Sequence, residues 1–366
     1  MVHSTPRGGI FEAWLTEITP MPLTPFFHRV VAGANLSSEE AFEAMSALLE
    51  GSASESVIAG FLVALRMKGE TAAELAGFAR AMRARMIAVE AGADVVDTCG
   101  TGGDGLNTFN ISTVAAFVMA GAGAKVAKHG NRSLSSQTGS ADVLEALGVR
   151  VAMTPDEAAR AICEIGIGFL FAPYLHPAMK YAQPVRRALR LRTVFNLLGP
   201  LANPARASRQ LIGAPSPQAA ELMAEAIAEL GAIHAFVVHG HDGLDEITIT
   251  GPTSVWRVCA GEVEKTVWTP SDFGLENAPM EALRGRGTPS NALIAQEVLS
   301  GVTGPRRDIV LANAAAGLVA AGLSPDLRSG MKAARESIDS GRALQKLDLL
   351  KKNFPAADPL FSETAR

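Results

Sequence analysis

The sequence predicts an α/β protein: a small all-helical N-terminal domain, then a large α/β domain whose central, mostly parallel sheet is flanked by helices. Three observations carry this expectation. Between positions 23 and 86 the apolar residues recur with a helical period. From position 91 short apolar runs alternate with helical segments, the pattern of a largely parallel sheet. Two of the first runs lead into glycine-rich polar loops, Gly100-Thr101-Gly102-Gly103-Asp104-Gly105 and Lys128-His129-Gly130-Asn131-Arg132. The expected division is an extension over 1–22, a helical domain over 23–90, an α/β domain over 91–172 and 196–353, and a tail over 354–366.

Each element has a local reason. The extension mixes Pro, Gly, Thr and a few apolar residues, and only 11–15 suggest a helical turn. In the helical domain Ser37 with Glu40, and Thr71 with Glu74, have capping-box spacing, while Gly51 and Gly69 stand where helices end. Ile58, Phe61, Leu62 and Leu65 fall on one helical face, and the whole stretch accommodates about four helices. Strands are expected at 93–99 and 124–127, each passing through its glycine loop into a helix, at 112–121 and 140–147. Thr154-Pro155-Asp156-Glu157 combines an N-cap, an N1 proline and a capping-box acid. A buried strand follows at 167–172, then an amphipathic, basic segment over 176–191. Strands at 209–213 and 235–239 enclose a helix over 218–230. The runs 247–250, 254–259 and 263–268 read as antiparallel additions to the sheet, and helices over 291–299, 309–321 and 330–340 close the chain before a loose tail from Pro355.

Composition narrows the class. With 366 residues, 48% of them hydrophobic and 19% charged, the chain suits a soluble globular enzyme. Its net charge of −4 argues against a general nucleic-acid binder, which needs a basic face. Cys99, Cys163 and Cys259 are far apart with no CxxC pair, which suits a reducing, cytoplasmic setting and not a zinc or disulfide framework. No signal-peptide core and no membrane-spanning apolar run is expected.

The glycine loops are the chemically informative stretch. Strand, glycine loop and helix N-terminus together point backbone N–H groups at an anion. Two such units side by side, with Lys128 and Arg132 in the second, suggest a ligand carrying more than one phosphate. Gly100, Gly102 and Gly105 satisfy the dinucleotide fingerprint, but the helix begins several residues late and the next strand ends in Lys128-His129, not in an acid. No Gly-Lys-Ser/Thr run of a Walker loop is present.

GTGGDG…TFNIST, KHGNRSLSS…GSADVLEALG, HPAMKYAQPVRRALRLRTVFNLLGPLANP and HGHDGLDEIT occur in this order between Phe26 and Asn353. Together they closely resemble the anthranilate phosphoribosyltransferase family, a nucleoside phosphorylase-like class of phosphoribosyltransferase. The resemblance implies transfer of the 5-phosphoribosyl group of phosphoribosyl pyrophosphate (PRPP) to the amine of anthranilate, with inversion and loss of pyrophosphate. It also implies dimers joined through the helical domain, which helices from 173–195 would complete.

Carried over residue by residue, PRPP falls to Gly100, Gly103, Asp104, Thr108, Asn110, Ile111, Ser112 and Thr113 in the first loop and its helix. In the second it falls to Lys128, His129, Gly130, Asn131, Arg132, Ser133, Leu134, Ser135, Ser136 and Ser140. N-capping is the alternative use of Ser112, Thr113 and Ser140. Asp245 and Glu246, with Ser112, would hold Mg²⁺, a pair of ions per site with PRPP; that metal favours one or two carboxylates plus substrate oxygens. Gly100, Asn131, His176 and Arg186 would contact anthranilate, the Arg186 fork suiting its carboxylate. No residue is expected to act as a covalent nucleophile; Lys128, Asn131 and Arg186 position the reactants, and His129 and His176 are not needed as bases because an aniline nitrogen is neutral. The chain departs from the family pattern at Gly285-Arg286-Gly287-Thr288-Pro289-Ser290-Asn291-Ala292, a change expected to touch none of these positions.

Other readings fit less well. A nucleoside phosphorylase needs no Asp-Glu metal pair. Orotate-type enzymes place two adjacent acids before their loop, whereas Thr98 and Cys99 follow Asp97. A non-catalytic, nucleic-acid-binding paralogue would have lost motifs and gained a basic surface.

Overall fold

The computed structural model describes residues 22–102, 105–133 and 138–356. The helical part opens with α1 (Thr24–Val31), α2 (Ser38–Leu49), α3 (Glu55–Lys68) and α4 (Ala72–Arg85). Both expected capping boxes form, at Ser37 with Glu40 and at Thr71 with Glu74. Glu74 does more than cap. Its fully buried carboxylate accepts from Leu36 N at 2.9 Å and Thr71 N at 2.8 Å, and pairs with Lys68 Nζ at 2.9 Å.

The α/β part then runs β1 (Val95–Gly100), α5 (Ile111–Gly121), β2 (Lys125–Gly130), α6 (Ser140–Ala146), α7 (Pro155–Arg160), β3 (Ile167–Phe171) and α8 (Ala172–Leu175). A π-helical turn, Ala161–Ile165, extends α7 as far as Gly166. The amphipathic, basic segment expected over 176–191 is divided between two helical pieces. Pro177 and Pro184 each lack an N–H and sit at helix starts, giving a 3-10 turn (Pro177–Tyr181) and then α9 (Gln183–Leu189). Ala182 and Val185 join the core formed by α1–α4, so α9 packs on the helical part.

The chain continues through α10 (Phe195–Leu201), β4 (Arg209–Gly213), α11 (Pro217–Glu229), β5 (His234–Gly240), β6 (Thr253–Cys259) and β7 (Glu262–Trp268). It ends in α12 (Thr288–Leu299), α13 (Pro305–Ala320), α14 (Leu327–Asp339) and α15 (Arg342–Asn353). Sequence reading overlooked α10 and α15, although Ala343, Leu347 and Leu350 of α15 are buried at helical spacing.

The seven strands form one sheet in the order β3-β2-β1-β4-β5-β6-β7. The first five are parallel, and β6 and β7 are antiparallel additions. From β1 the chain winds outward through β2 to β3, then crosses back to β4 and winds the other way. The C-terminal ends of β1 and β4 therefore flank a topological switch point, where open α/β sheets form a crevice. There Gly100 and Gly213 are registered neighbours.

The expected strand at 247–250 does not form. β5 pairs directly with β6, Val237 opposite Trp256, which leaves no place between them. Side chains satisfy the backbone instead: Ile247 N donates to Asn313 Oδ1 at 3.0 Å, Asn313 Nδ2 returns a bond to Ile247 O at 2.9 Å, and Thr248 N donates to Thr253 Oγ1 at 3.1 Å. Alternation of apolar residues in such a buried loop mimics a strand.

Candidate active site

A cavity of about 700 Å³ opens at the switch point, walled by the strand ends on one side and by Met82, Met179, Gln183 and Arg186 on the other. Among the residues expected in the site, Gly100, Thr108, Asn110, Ile111, Ser112, Thr113, Lys128, His129, Gly130, Asn131, Arg132, Ser133, Ser140, His176, Arg186, Asp245 and Glu246 all line it. Gly103, Asp104, Leu134, Ser135 and Ser136 lie outside the described residues.

The acidic pair reaches the crevice by close backbone packing. A Cβ on Gly213 would have no room beside the Asp245 backbone, and one on Gly100 would stand 2.6 Å from Asp245 Oδ2. Only glycine allows that approach. Asp245 Oδ2 accepts from Gly102 N at 2.9 Å, and Glu246 Oε1 accepts from Ser112 N at 3.1 Å in the first turn of α5. Both N–H groups are thus placed where negative charge is accepted. The two carboxylates, both largely buried, fit a magnesium ion, which takes one or two protein carboxylates and completes its shell with phosphate oxygens and water.

Capping does not explain the loop hydroxyls. Asn110 is the N-cap of α5 and Gly139 that of α6, so Ser112, Thr113 and Ser140 lie inside their helices. Ser112 Oγ accepts from Lys128 Nζ at 3.3 Å, and Thr113 Oγ1 is buried without a partner among the described residues. Lys128 is itself buried and anchored to Thr98 O at 2.7 Å. Arg132 lines the cavity with its guanidinium already engaged: it forks onto Glu145, both bonds 2.6 Å, and contacts Asp142 at 3.0 Å. These acids, Glu145 foremost, raise its pKa and occupy its donors.

A buried brace that sequence reading missed holds the strand ends in place. Asp97 accepts from His129 N at 3.1 Å and from Asn203 Nδ2 at 2.8 Å, and that amide also reaches Ala127 O at 2.9 Å. Burial raises the Asp97 pKa, while the Lys128 charge opposes the shift. Nothing in the spacing of Asp97 and Asn203 signals this contact.

His129, at the end of β2, and His176 lie 5.1 Å apart between ring centroids. Burial drives His129 down to about 3, with His176 adding to the shift, and drives His176 down to about 4. Both imidazoles are therefore neutral near pH 7, and the Nε2 of each is buried with no partner among the described residues. Arg186 stacks over Phe195, 5.3 Å from guanidinium carbon to ring centroid, and burial lowers its pKa. No acid among the described residues pairs with it, so a cation faces the cavity without a counter-charge.

The departure from the family pattern does touch the site. Gly285, Gly287 and Asn291 line the cavity, and Asn291 Nδ2 donates to Asn110 Oδ1 at 3.1 Å. Sequence order hid this, because the contact joins positions 181 residues apart. Arg192 and Asn196 were also overlooked as lining residues.

Comparison with known proteins agrees with this geometry. Residues 92–344 match the glycosyl transferase family α/β domain, and 24–86 match the helical bundle domain of the same family. An anthranilate phosphoribosyltransferase of Solibacter usitatus is 58% identical over 333 residues, covering 90% of this chain and 98% of that protein. The crystal structure of anthranilate phosphoribosyltransferase from Thermus thermophilus superposes with a TM-score of 0.85 at 45% identity, covering 91% of this chain and 99% of that one. The Saccharomyces cerevisiae enzyme, solved in complex with PRPP and Mg, gives 0.83 at 31% identity, covering 90% and 97%. The chain belongs to the anthranilate phosphoribosyltransferase family.

Proposed function

We propose that the protein transfers the 5-phosphoribosyl group of PRPP to the amine of anthranilate, releasing pyrophosphate, in tryptophan biosynthesis. The observation that carries this reading is the placement of Asp245 and Glu246 against Gly102 N and Ser112 N, opposite the unpaired guanidinium of Arg186 in one cavity. An acidic metal pair at phosphate-type donors faces a cation suited to a carboxylate, which is the charge pattern of a polyphosphate donor meeting an aromatic acid.

In this reading the strand-end glycines admit the donor close to the backbone. Lys128, Asn131, Ser112, Thr113 and Ser140 supply donors to its phosphates, and Asp245, Glu246 and Ser112 hold Mg²⁺. The metal, when bound, neutralises charge developing on the leaving pyrophosphate. Arg186 orients the acceptor through its carboxylate, with Gly100 and Asn131 beside the amine. His129 and His176, neutral and desolvated, line the acceptor's side and take no proton. Rate then comes from alignment and electrostatics, by direct displacement with inversion and without a covalent intermediate. Arg132 serves to order its loop through Glu145.

The same reading divides the chain into a helical domain over 23–90, completed from 173–195, and an α/β domain over 91–172 and 196–353. It makes the protein a cytoplasmic homodimer joined through the helical domain, with no nucleic-acid or membrane partner. Among the described residues no helix is long and apolar enough to cross a membrane. The test follows anthranilate fluorescence in a mixture of protein, Mg²⁺ and PRPP, omitting each in turn. Loss of fluorescence requiring all components is expected; no loss with folded protein would overturn the reading.

A further inference from the structure

Beside the main cavity lies a second one of about 390 Å³, lined by Asn107, Glu281, Arg284, Gly285, Arg286 and Arg306. The two cavities share Asn107 and Gly285. The Arg-rich segment is not a free loop. Thr108 and Arg284 form an antiparallel bridge, Gly285 N donates to Asn107 O at 2.8 Å, and Phe109 N donates to Leu283 O at 3.2 Å. It is thereby tied to the chain leaving the first glycine loop. Gly285 has no space for a side chain beside Asn291, which bonds Asn110 at the start of α5.

Three guanidinium groups meet one carboxylate in this lining. Arg306 is held by carbonyls, Ala282 O at 3.2 Å and Arg284 O at 3.5 Å, which fix its position without adding a counter-charge. Its nearest acid, Glu297, is 3.9 Å away, and Arg284 is 3.9 Å from Glu281. Glu281 is exposed and Glu297 half-buried, and loose pairs of this length near the surface bind weakly. Arg286 is exposed and has no hydrogen bond or ion pair among the described residues.

We propose that this second cavity is a binding site for the diphosphate class of anion and acts as a capture site for the donor outside the main cavity. The capture role rests on the function proposed above; the anion site does not. Guanidinium forks match phosphate oxygens in pairs, and a concentrated positive lip raises the local concentration of a polyanion at the mouth of the site. Because Asn107 and Gly285 line both cavities, an anion held in the second lies beside the first.

Titration calorimetry with inorganic pyrophosphate and Mg²⁺ tests the site without requiring turnover. The unmodified protein is expected to bind two anions per chain and the Arg284→Gln, Arg286→Gln variant one, with circular dichroism and melting unchanged because both side chains are exposed. Equal stoichiometry in both proteins overturns the site. The second arm measures donor kcat/KM against ionic strength. The variant is expected to lose about threefold to tenfold at low salt, the gap closing as salt screens the charges, with the acceptor KM unmoved. Arg286→Lys in the Arg284 background should retain most of the effect. An unchanged donor kcat/KM at low salt overturns the capture role.

Discussion

Gly213 and Asp245 touch backbone to backbone, with no room between them for a single methyl group. This contact seats the acidic loop over the ends of β1 and β4, so a side chain on the glycine must move the loop bodily. Gly213→Ala is expected to reduce turnover severely and to raise the Mg²⁺ concentration needed for half-maximal rate, while the far-ultraviolet circular dichroism persists. A normal Mg²⁺ titration would contradict the seating role.

The acids themselves are separable from their seat. The Asp245→Asn, Glu246→Gln double variant keeps the bulk of both side chains and removes their charge. Loss of several kcal/mol of charge stabilisation corresponds to roughly a hundredfold or more in rate. A weakened Mg²⁺ requirement should accompany that loss in steady-state assays. Near-normal activity at limiting Mg²⁺ would refute the assignment.

Arg186→Ala distinguishes the two ends of the cavity. A hydrogen bond to a charged group contributes about 1.5–3 kcal/mol, so the acceptor KM should rise roughly tenfold or more. The donor KM should change little. Equal rises in both would show that Arg186 serves the whole cavity.

His129 and His176 make stability depend on pH. Their folded pKa values, about 3 and about 4, lie below the ordinary 6.5. As pH falls below 6.5 the unfolded chain takes up protons that the folded chain refuses. The contribution is therefore complete above about pH 6.5 and is lost progressively toward pH 3–4. Urea unfolding should show about 1–3 kcal/mol less stability at pH 5 than at pH 7, a difference reduced in His129→Asn. The rate profile, in contrast, should carry no limb from either imidazole between pH 6 and 8, because both are already neutral there.

Glu74→Ala should leave Lys68 without its carboxylate, and the buried Leu36 N and half-buried Thr71 N without an acceptor. Removing one partner of a buried pair costs about 3–5 kcal/mol, measurable as a lowered urea midpoint.

Much of this was legible because the signals are local. Capping boxes at Ser37 and Thr71 depend on contacts three residues apart. The strand–glycine–helix units place the phosphate loops with little help from distant chain, and the expected lining residues that are described do meet in one cavity. Long-range pairings were not legible. Asp97 with Asn203, Asn110 with Asn291 and Ile247 with Asn313 join segments whose spacing carries no period. The loop at 247–250 failed as a strand for the same reason, since an amide from α13 supplies what a neighbouring strand would have supplied. The engagement of Arg132 by Glu145 was likewise not legible, since the two stand thirteen residues apart, one in the loop and one on α6.

The Asn313 amide has a consequence for how damage spreads through this protein. Wholly buried within α13, it grips Ile247 immediately after the acidic pair. A map of important positions drawn by distance from the cavity would omit it, yet a random library screened for lost turnover should recover position 313 alongside the acids. Drift in the helix would then be read out as an apparent defect in metal use.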